Sequence, residues 1–318
     1  MTMRTFSTLT RREALVLAGG AALAAMLPGS WSEAVAAGAS PLLMRSIPRT
    51  GEKLSVIGLG TSQVFDFDLA DAAVHAERRA VLEKMLAGGA TLIDTAPSYG
   101  SAEGNVGALL EEIKARDRFF IATKVGVKAT AAETLAEMQQ SQQRLRTQRS
   151  DLLQLHNVRS ASTDLGALRE WQKAGNTRYI GITHWQDSAH DLLVELMQKQ
   201  KPDFVQVNYS LDARAAEDVV LPAARDLGIA VLTNVPFGRN RLFRAVRGKE
   251  VPAFAKDFGA TSWAQVFLKF ILANDAVTCV IPGTDKPQYM VENIAAGSGA
   301  VPMSAQRKQI LDYWSSLA

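Results

Sequence analysis

Four reactive side chains lie near the ends of three apolar segments of the sequence. Asp94 lies near the end of TLIDTA, Tyr99 follows five residues later, and Lys124 and His156 lie near the ends of FFIATKV and DLLQLHN. A tyrosine hydroxyl ordinarily titrates near pH ~10, and a neighbouring lysine ammonium favours its ionised form, which makes the phenol a better proton donor. Asp94 would hold and neutralise the lysine, and a neutral His156 would orient a carbonyl oxygen.

Together these groups could polarise and protonate a carbonyl while a reduced nicotinamide delivers hydride to its carbon. Each of them alone has an ordinary structural explanation: a turn or N-cap for Asp94, turn packing for Tyr99, a strand-end charge for Lys124, a hydrogen-bonded core position for His156. The set is difficult to explain as packing, because a buried lysine and aspartate must pair or lose their charges. We therefore expect one site.

The three segments belong to a series of eight short apolar runs that begins near Leu54. Each run is rich in Val, Ile, Leu or Thr, and most are typical of strands buried on both faces. Amphipathic stretches separate them, and several open on Asp, Ser or Thr and close on Gly, as helices do. The runs are LSVIGLG, TLIDTA, FFIATKV, DLLQLHN, TRYIGITH, FVQVNYS, AVLTNVP and AVTCVIPG.

Eight strands that alternate with eight helices predict an α/β fold, a single-domain (β/α)8 TIM barrel. The active site of this fold lies at the carboxyl ends of the strands, where Asp94, Lys124 and His156 fall. A doubly wound sheet is the alternative, and the GLG at residues 58–60 could begin a dinucleotide fingerprint. No third glycine follows and no helix opens there, so the G-x-G-x-x-G interpretation is weak.

Three further segments lie outside the eightfold alternation. Residues 50–52, Thr-Gly-Glu, predict a hairpin turn whose first arm would close the bottom of the barrel. Residues 239–259 predict a long loop with a helix near 251–258, and residues 304–317 predict a final amphipathic helix. Since no low-complexity linker interrupts the pattern, we assign residues 37–318 to one domain.

The first 36 residues have the pattern of an export signal. A basic stretch ends in Arg11 and Arg12, an apolar stretch covers residues 14–27, and residues 34–36 form an A-x-A cleavage sequence. The apolar stretch is too short for a stable transmembrane helix. The arginine pair resembles a twin-arginine signal, which implies an export machinery that carries folded proteins. An ordinary amphipathic helix or a chance pair in a general secretion signal are the alternatives. We expect cleavage near Ala36 and a periplasmic protein.

Composition excludes several other classes of protein. A hydrophobic fraction of 47% is too high for a disordered chain. The net charge of +3 is small, and no basic run with interleaved aromatics points to nucleic acid. Cys279 is the single cysteine and is expected to be a buried apolar residue. Four histidines without CxxC or HExxH spacing give no reason to expect a metal.

Over residues 47–296 the sequence resembles the aldo-keto reductase family. The matching strings are IDTAPSYGSAEGNVG, IATKVG, LLQLHN, GNTRYIGIT, VQVNYS, VPFGR and VIPGT…ENIAAG. The set is far more specific than any one string. The resemblance implies an NAD(P)H-dependent enzyme that reversibly reduces aldehydes or ketones to alcohols. It also implies a catalytic tetrad of Asp94, Tyr99, Lys124 and His156, with Tyr99 as general acid/base.

The resemblance further implies which residues contact the cofactor and the substrate. Thr183 and Gln206 match positions that hold the nicotinamide carboxamide, and Gly60 and Thr61 match the loop after the first strand. The adenine end matches Gly283, Thr284, Glu292 and Asn293. The other expected cofactor contacts are Asp94, His184, Asn234, Phe237, Gly238 and Lys286. The expected substrate contacts are Tyr99, His156, Phe65 and Trp185, and Phe65, Phe67 and Trp185 suggest an apolar pocket.

The chain departs from the family pattern at three places. Thr183-His184 stands where Ser-Asn is common, and Asn234 stands where many members place an aromatic that stacks on nicotinamide; Phe237 could substitute for it. Tyr289 replaces the basic residue that commonly binds the ribose 2′-phosphate. A 2′-phosphate needs cationic partners, so Lys286 and Arg239 would have to supply them. The family pattern favours NADP over NAD, and we expect NADP.

Two other functions are compatible with the same fold. The chain could be a catalytically silent cofactor-binding or accessory protein, as some relatives are for channels, but the complete tetrad and the export pattern favour an enzyme. It could also be an unrelated lyase or isomerase that uses Lys124 as a Schiff base. The sequence leaves open the carbonyl substrate, the oligomeric state, and the supply of reduced nicotinamide in the periplasm.

Overall fold

Short apolar segments form the strands of a parallel sheet in the computed structural model, which describes residues 40–317. The strands pair in chain order. They are β3 (Leu59–Gly60), β4 (Leu92–Asp94), β5 (Phe120–Gly126), β6 (Ser150–His156), β7 (Thr177–His184), β8 (Phe204–Asn208), β9 (Ala230–Asn234) and β10 (Val277–Val280). Each coincides with one of the eight apolar runs, so the pattern of the sequence correctly located every strand.

The sheet closes on itself where its first and last strands meet. Parallel bridges join Ile57 to Val280 and Gly60 to Gly283. The amide of Gly60 donates to the carbonyl of Pro282 at 3.0 Å. A Cβ on Gly60 would lie 2.8 Å from the carbonyl oxygen of Ile281, so only glycine fits this seam. The closed, parallel, eight-stranded sheet confirms the predicted (β/α)8 barrel.

Helices return the chain between successive strands. Asp71 and Ser262 cap two of them with side-chain oxygens, as the sequence pattern predicted, and Thr130 caps a third. The α-helices of the described residues are α1 (Ala72–Ala87), α2 (Ala102–Glu112), α3 (Ala131–Arg144), α4 (Gly166–Lys173), α5 (His190–Gln200), α6 (Val220–Leu227), α7 (Arg241–Ala245), α8 (Trp263–Leu272), α9 (Pro287–Ala296) and α10 (Ser304–Ser315). Within residues 40–317, none of the helices is long and apolar enough to cross a membrane.

A hairpin precedes the barrel, as predicted. Strands β1 (Met44–Ser46) and β2 (Lys53–Ser55) pair antiparallel around a turn in which Gly51 has φ +75°. The guanidinium of Arg45 donates to the backbone carbonyls of Leu272, Asn274 and Val277. These bonds hold the hairpin against the connection between α8 and β10.

The long segment after β9 differs in part from the prediction. A 3-10 helix spans Ala253–Phe258, where a helix was expected, but the short helix α7 was not predicted. α7 has five residues, which is too few to show a helical period in sequence. Asn240, at φ +68°, precedes it and turns the chain sharply.

Apolar residues fill two layers of the structure. The inner layer, inside the barrel, includes Leu92, Ala122, Leu152, Phe204 and Cys279, and the outer layer lies between strands and helices. Burial raises the pKa of the Cys279 thiol, which agrees with its expected role as a small apolar residue. Residues from Pro41 onward form one compact unit. The predicted export signal lies outside the described residues.

Candidate active site

The carboxyl ends of consecutive strands bring the predicted catalytic residues to one rim. Asp94 is the last residue of β4, Lys124 lies on β5, and His156 is the last residue of β6. In the register of the sheet, Lys124 is opposite Gln154 and His156 is opposite Thr183. The tetrad is therefore assembled by strand order, because neighbouring parallel strands end at the same edge.

Tyr99 reaches this rim from the loop between β4 and α2. The next residue, Gly100, has φ +60°, and a Cβ there would lie 2.3 Å from the Asp66 carboxylate. That carboxylate accepts hydrogen bonds from the Ser101 amide at 2.9 Å and from its hydroxyl at 2.8 Å. Asn105 donates to the backbone carbonyls of residues 65 and 67, each at 2.8 Å. The loop after β3 and the start of α2 thus fix the tyrosine.

A buried ion pair lies at the centre of the site. Lys124 Nζ is 2.7 Å from Asp94 Oδ2 and 2.8 Å from the carbonyl oxygen of Thr95. The other oxygen of Asp94 accepts from Gln206 Nε2 at 2.7 Å and from Gln154 Nε2 at 3.3 Å. Burial, the largest single effect, lowers the pKa of Lys124, but the charge and hydrogen bond of Asp94 together with the influence of Tyr99 outweigh it and raise the pKa above its ordinary value. The lysine therefore keeps its positive charge inside the protein.

Tyr99 packs against that charge. Lys124 Nζ lies 4.8 Å from the centroid of the phenol ring. Burial raises the pKa of Tyr99, while the charge of Lys124 opposes that rise. The net direction is upward, which differs from the downward effect expected of the lysine alone. The phenol is consequently protonated at neutral pH and holds a proton that it can donate.

His156 stands beside the tyrosine. The two rings are 5.9 Å apart and almost perpendicular, and Ser98 Oγ lies 3.5 Å from His156 Nδ1. Burial, the charge of Lys124 and the neighbouring His184 together lower the pKa of His156 to about 3. The imidazole is therefore neutral at physiological pH, and a neutral ring can donate one hydrogen bond.

These residues open onto a cleft with a volume of about 480 Å³. The cleft runs across the rim of the barrel and includes both the seam between β3 and β10 and the ends of β6 and β7. Of the residues predicted for cofactor, substrate or catalysis, those that line it are Gly60, Asp94, Tyr99, His156, Thr183, Trp185, Gln206, Asn234, Phe237, Arg239 and Gly283. Lys124 lies fully buried beneath its floor.

One predicted substrate residue lies elsewhere. Phe65 is fully buried in the apolar layer formed with Leu59, Val81 and Val106, and it does not line the cleft. Its ring meets Phe67 edge-on at 6.4 Å. The expectation that Phe65 contacts substrate is therefore corrected: the loop after β3 folds this ring inward, since a large apolar ring gains more from burial than from exposure at the rim.

Several predicted cofactor residues lie around the cleft instead of on its surface. Thr61 is buried and its amide donates to the Asp94 carbonyl at 3.0 Å. His184 Nδ1 accepts from the Gln186 amide at 3.2 Å, a local turn contact. Gly238 is buried with φ +55°. Thus these three positions lie outside the cleft lining, next to residues that line it.

The segment after Gly283 forms a small network of its own. Asn293 Nδ2 donates to Thr284 Oγ1 at 3.0 Å, and both side chains are buried. Lys286 Nζ lies 3.9 Å from Glu77, with both side chains partly exposed, and Glu292 is half-buried. Thr284 and Asn293 therefore fix the start of α9, and Lys286 remains accessible beside it.

Sequence reasoning missed part of the site. Gln154, two residues before His156, donates to Asp94 but does not line the cleft. It was hidden in an apolar run, and its position on the same face of β6 as His156 was the available signal. Ser62, Gln63, Val64, Asn157, Val235 and Asn240 also line the cleft and come from loops whose conformation no periodicity reveals. Val235 has φ +52°, a rare conformation for a β-branched residue.

The floor of the cleft has polar groups that fit an amide-bearing ring. Asn234, which lines the cleft, has its Oδ1 buried without a hydrogen-bond partner. Thr183 Oγ1 donates to Gln206 Oε1 at 3.2 Å, and Asn234 Nδ2 approaches the same oxygen at 3.3 Å. Buried polar atoms ordinarily have partners, so this cluster is suited to a ligand with both donors and acceptors, such as a nicotinamide carboxamide.

A metal site would need several ligand side chains close together. Across residues 40–317, no group of three or more His, Cys, Asp or Glu side chains is placed to hold a metal ion.

Comparison with known proteins identifies the family and several relatives of this chain. Residues 56–312 match the family model described as the Aldo/keto reductase family. The chain is 28% identical over 261 residues to aldo-keto reductase str7 of Strobilurus tenacellus, covering 70% of this chain and 76% of that protein. It is 26% identical over 287 residues to L-galactose dehydrogenase of Arabidopsis thaliana, covering 80% and 87%. The fold also matches a solved aldo-keto reductase from Klebsiella pneumoniae in complex with NADPH, at a TM-score of 0.70 and 23% identity, covering 83% and 92% of the two chains.

The buried pair makes a specific prediction for stability. We expect Lys124→Met to lower the free energy of unfolding by about 3–5 kcal/mol, because it leaves the Asp94 carboxylate buried and unpaired. The double variant Asp94→Asn/Lys124→Met should be more stable than Lys124→Met alone, since it also removes the unpaired charge of the Asp94 carboxylate. Urea unfolding of the purified protein measures both.

Lys128→Met is the matched control. Lys128 pairs with Glu137 at 2.7 Å but has a side chain that is 33% exposed, so its loss should cost about 1 kcal/mol or less. Equal losses for Lys124→Met and Lys128→Met, or additive losses in the double variant, would contradict the assignment.

Proposed function

Because the chain belongs to the aldo/keto reductase family, we propose that it uses NADPH to reduce an aldehyde or ketone reversibly to an alcohol, with Tyr99 as the general acid. The observation that carries the proposal is the arrangement of a protonated phenol, a buried ammonium and a neutral imidazole on one cleft. Bound NADPH would supply hydride to the carbonyl carbon.

The residues of the chain supply the proton and the orientation. The Tyr99 hydroxyl donates to the carbonyl oxygen and transfers its proton as negative charge develops there. The phenolate that results lies beside Lys124, whose positive charge stabilises it within a buried environment. Asp94 keeps the lysine in place through the 2.7 Å ion pair. In the oxidative direction the same phenolate accepts the alcohol proton.

His156 has a separate role in this proposal. As a neutral ring it donates a second hydrogen bond to the carbonyl oxygen, which fixes the oxygen near Tyr99 and leaves the carbon open to one face of the cleft. Ser98 lies at Nδ1. When its hydroxyl donates to that nitrogen, the ring proton resides on Nε2, the nitrogen then available to substrate.

Residues of the cleft floor and the seam would hold the cofactor. Thr183, Gln206 and Asn234 offer the donors and acceptors for the carboxamide, and Gly60 and Gly283 let the backbone approach the nucleotide closely. NADPH is supported over NADH by the NADPH complex of the Klebsiella pneumoniae relative. In this chain Lys286 is the cation proposed to pair with the 2′-phosphate, once it leaves Glu77.

We further propose that the chain is exported to the periplasm and is cleaved near Ala36. The support is the sequence pattern alone: paired arginines, an apolar stretch and an A-x-A site. An enzyme that folds around its nucleotide before export would carry that nucleotide with it.

Removal of the Tyr99 hydroxyl tests the general acid. We expect Tyr99→Phe to lower kcat for reduction of 4-nitrobenzaldehyde by about 10²- to 10⁴-fold, because the proton donor is lost. NADPH affinity, measured by fluorescence titration, should change by no more than about twofold, since the substitution leaves the contacts that hold the cofactor in place.

Tyr313→Phe is the control for this experiment, because Tyr313 lies on α10 and packs against Phe254 and Trp263 away from the cleft. Undiminished turnover by Tyr99→Phe would reject the assigned acid. A wild-type chain that binds NADPH but reduces no aldehyde would instead support the catalytically silent alternative.

The pH dependence follows from the two perturbed groups. Reduction needs protonated Tyr99, whose pKa is raised, and neutral His156, whose pKa is lowered to about 3. We therefore expect kcat/KM for reduction to be constant within about twofold from pH ~5 to pH ~9 and to fall above pH ~10 as the phenol loses its proton. A step near pH ~6.5 that disappears in His156→Gln would show that the imidazole titrates normally and would contradict this assignment.

Fractionation of cells that express the full chain tests export. We expect a mature form beginning near Ala37 in the periplasmic fraction, and we expect Arg11→Lys/Arg12→Lys to leave full-length protein in the cytoplasm. Export of the lysine variant would indicate a general secretion signal, and cytoplasmic full-length wild type would refute export.

A further inference from the structure

A buried amide that the proposed reaction does not use contacts the aspartate of the site. Gln154, on β6, is fully buried and donates from Nε2 to Asp94 Oδ1 at 3.3 Å. Gln206, on β8, donates to the same oxygen at 2.7 Å. The other oxygen, Oδ2, accepts from Lys124 at 2.7 Å. The carboxylate is therefore held by two amides at one oxygen and by the ammonium at the other.

The two amides differ in their access to the cleft. Gln206 lines the cleft, and its Oε1 accepts from Thr183 at 3.2 Å and from Asn234 at 3.3 Å. In the proposed function this cluster meets the carboxamide of the cofactor. Gln154 does not line the cleft. A ligand that engages Gln206 therefore leaves the bond between Gln154 and Asp94 untouched.

The neighbouring strand leaves room for the glutamine side chain. In the register of the sheet, Gln154 is opposite Lys124 on β5 and opposite Gly181 on β7. A Cβ on Gly181 would lie 3.0 Å from Gln154 Cγ and 3.0 Å from the carbonyl oxygen of Phe204. Carbon atoms that are not bonded to each other pack best at about 3.5–4.0 Å. The missing side chain at position 181 therefore gives Gln154 the space that it occupies.

Folding alone does not account for an amide at this position. Among residues 40–317, Gln154 Oε1 is one of the buried side-chain atoms without a hydrogen-bond partner. A carboxylate oxygen can only accept, so the amide nitrogen must face Asp94, and Oε1 is directed elsewhere. A buried acceptor without a partner costs free energy, which an apolar side chain of similar length would avoid. The benefit of the amide therefore lies in its bond to Asp94.

We propose that Gln154 is a positioning residue for the reaction: its amide holds Asp94 in the orientation that pairs with Lys124, whether or not the cofactor engages Gln206. The inference rests on the proposed function and adds to it a residue outside the surface that substrate and cofactor meet. A carboxylate that turns away from Lys124 stabilises the buried ammonium less well. The phenolate formed on Tyr99 then loses the charge beside it.

Removal of the amide tests the proposal, because Gln154→Met keeps the length of the side chain and deletes the donor. We expect kcat for reduction of 4-nitrobenzaldehyde with NADPH to fall about 5- to 20-fold, since the group that stabilises the phenolate is less well placed. KM for the aldehyde and Kd for NADPH should change by no more than about twofold. The midpoint of urea unfolding should not fall, because the unpartnered Oε1 is removed as well.

Three results with this variant would overturn the proposal. The first is a kcat within about twofold of wild type, and the second is a KM that rises as far as kcat falls. The third is a lower urea midpoint together with a lower kcat, which would make Gln154 a residue of the folded structure alone.

Gln172→Met is the matched control. Gln172, on α4, also donates from Nε2 to a buried carboxylate, that of Asp203, at 3.0 Å, and to the carbonyl of Arg178 at 2.9 Å. Its partners lie near the start of β7 and just before β8, at the end of the barrel away from the cleft. Its loss should leave kcat within about twofold of wild type. Equal losses of kcat in Gln172→Met and Gln154→Met would overturn the proposal.

Gln154→Glu tests the hydrogen bond itself. A protonated carboxyl at this position donates to Asp94 as the amide does, whereas an ionised one repels it. Burial and the adjacent carboxylate raise the pKa of the new group above its ordinary value of about 4.3. The pKa values of Lys124 and Tyr99 are raised and that of His156 is lowered to about 3, so we expect these groups not to titrate between pH ~5 and pH ~9.

The two variants should therefore differ in pH dependence. We expect kcat of Gln154→Glu to lie within about threefold of wild type at pH ~5 and to fall about tenfold toward pH ~8, as the new carboxyl ionises. Gln154→Met should stay low at both values of pH. Low activity of Gln154→Glu at pH ~5, equal to that of Gln154→Met, would show that a donor at this position does not serve the reaction and would overturn the proposal.

Turnover by the wild-type chain separates failure of this inference from failure of the proposed function. If wild type reduces the aldehyde and Gln154→Met matches its kcat, the proposed function stands and the positioning role fails. If wild type binds NADPH but reduces no aldehyde, the proposed function fails and the positioning role fails with it.

Discussion

The pairing of Lys124 with Asp94 is the interaction on which the site depends. An ammonium fully enclosed by protein would ordinarily lose its proton, and Asp94 prevents this from 2.7 Å. The retained charge has two consequences. In the proposed reaction it would stabilise a phenolate on Tyr99, and it helps to keep His156 neutral by adding to the effect of burial. One ion pair thus sets the protonation of both groups that meet a carbonyl oxygen.

The barrel explains why that pair can be held so accurately. Lys124 and Asp94 lie on adjacent strands whose backbones are hydrogen-bonded, and Gln206 reaches Asp94 from across the interior. Gln206 in turn accepts from Thr183. A network anchored on four strands leaves little freedom for the lysine, and it joins the catalytic groups to the floor where a carboxamide would bind. Catalytic and cofactor positions are therefore parts of one hydrogen-bonded layer.

The sequence predicted the regular parts of this arrangement and missed parts that depend on loop conformation. The eight strands follow from apolar runs, and the rim positions of Asp94, Lys124 and His156 follow from the polarity of a parallel barrel. Phe65 was misplaced because an aromatic residue after a strand can turn inward or outward with the same sequence signal. The direction of the Tyr99 pKa also required the structure, because sequence spacing gives the lysine but not the degree of burial.

The least predictable residues of the cleft are those contributed by loops. Val235 and Arg239 occupy a loop whose positive φ values no hydrophobic period encodes, and the contact between Arg239 and Trp185 joins loops that follow the seventh and the fifth strands of the barrel. This separation has a physical basis. The floor must keep charges fixed for proton transfer and so is tied to strands, whereas the rim can vary its loops without disturbing the Lys124–Asp94 pair. The polar groups of the floor can consequently be inferred from the strands, whereas the lining that loops contribute has to be seen in the structure.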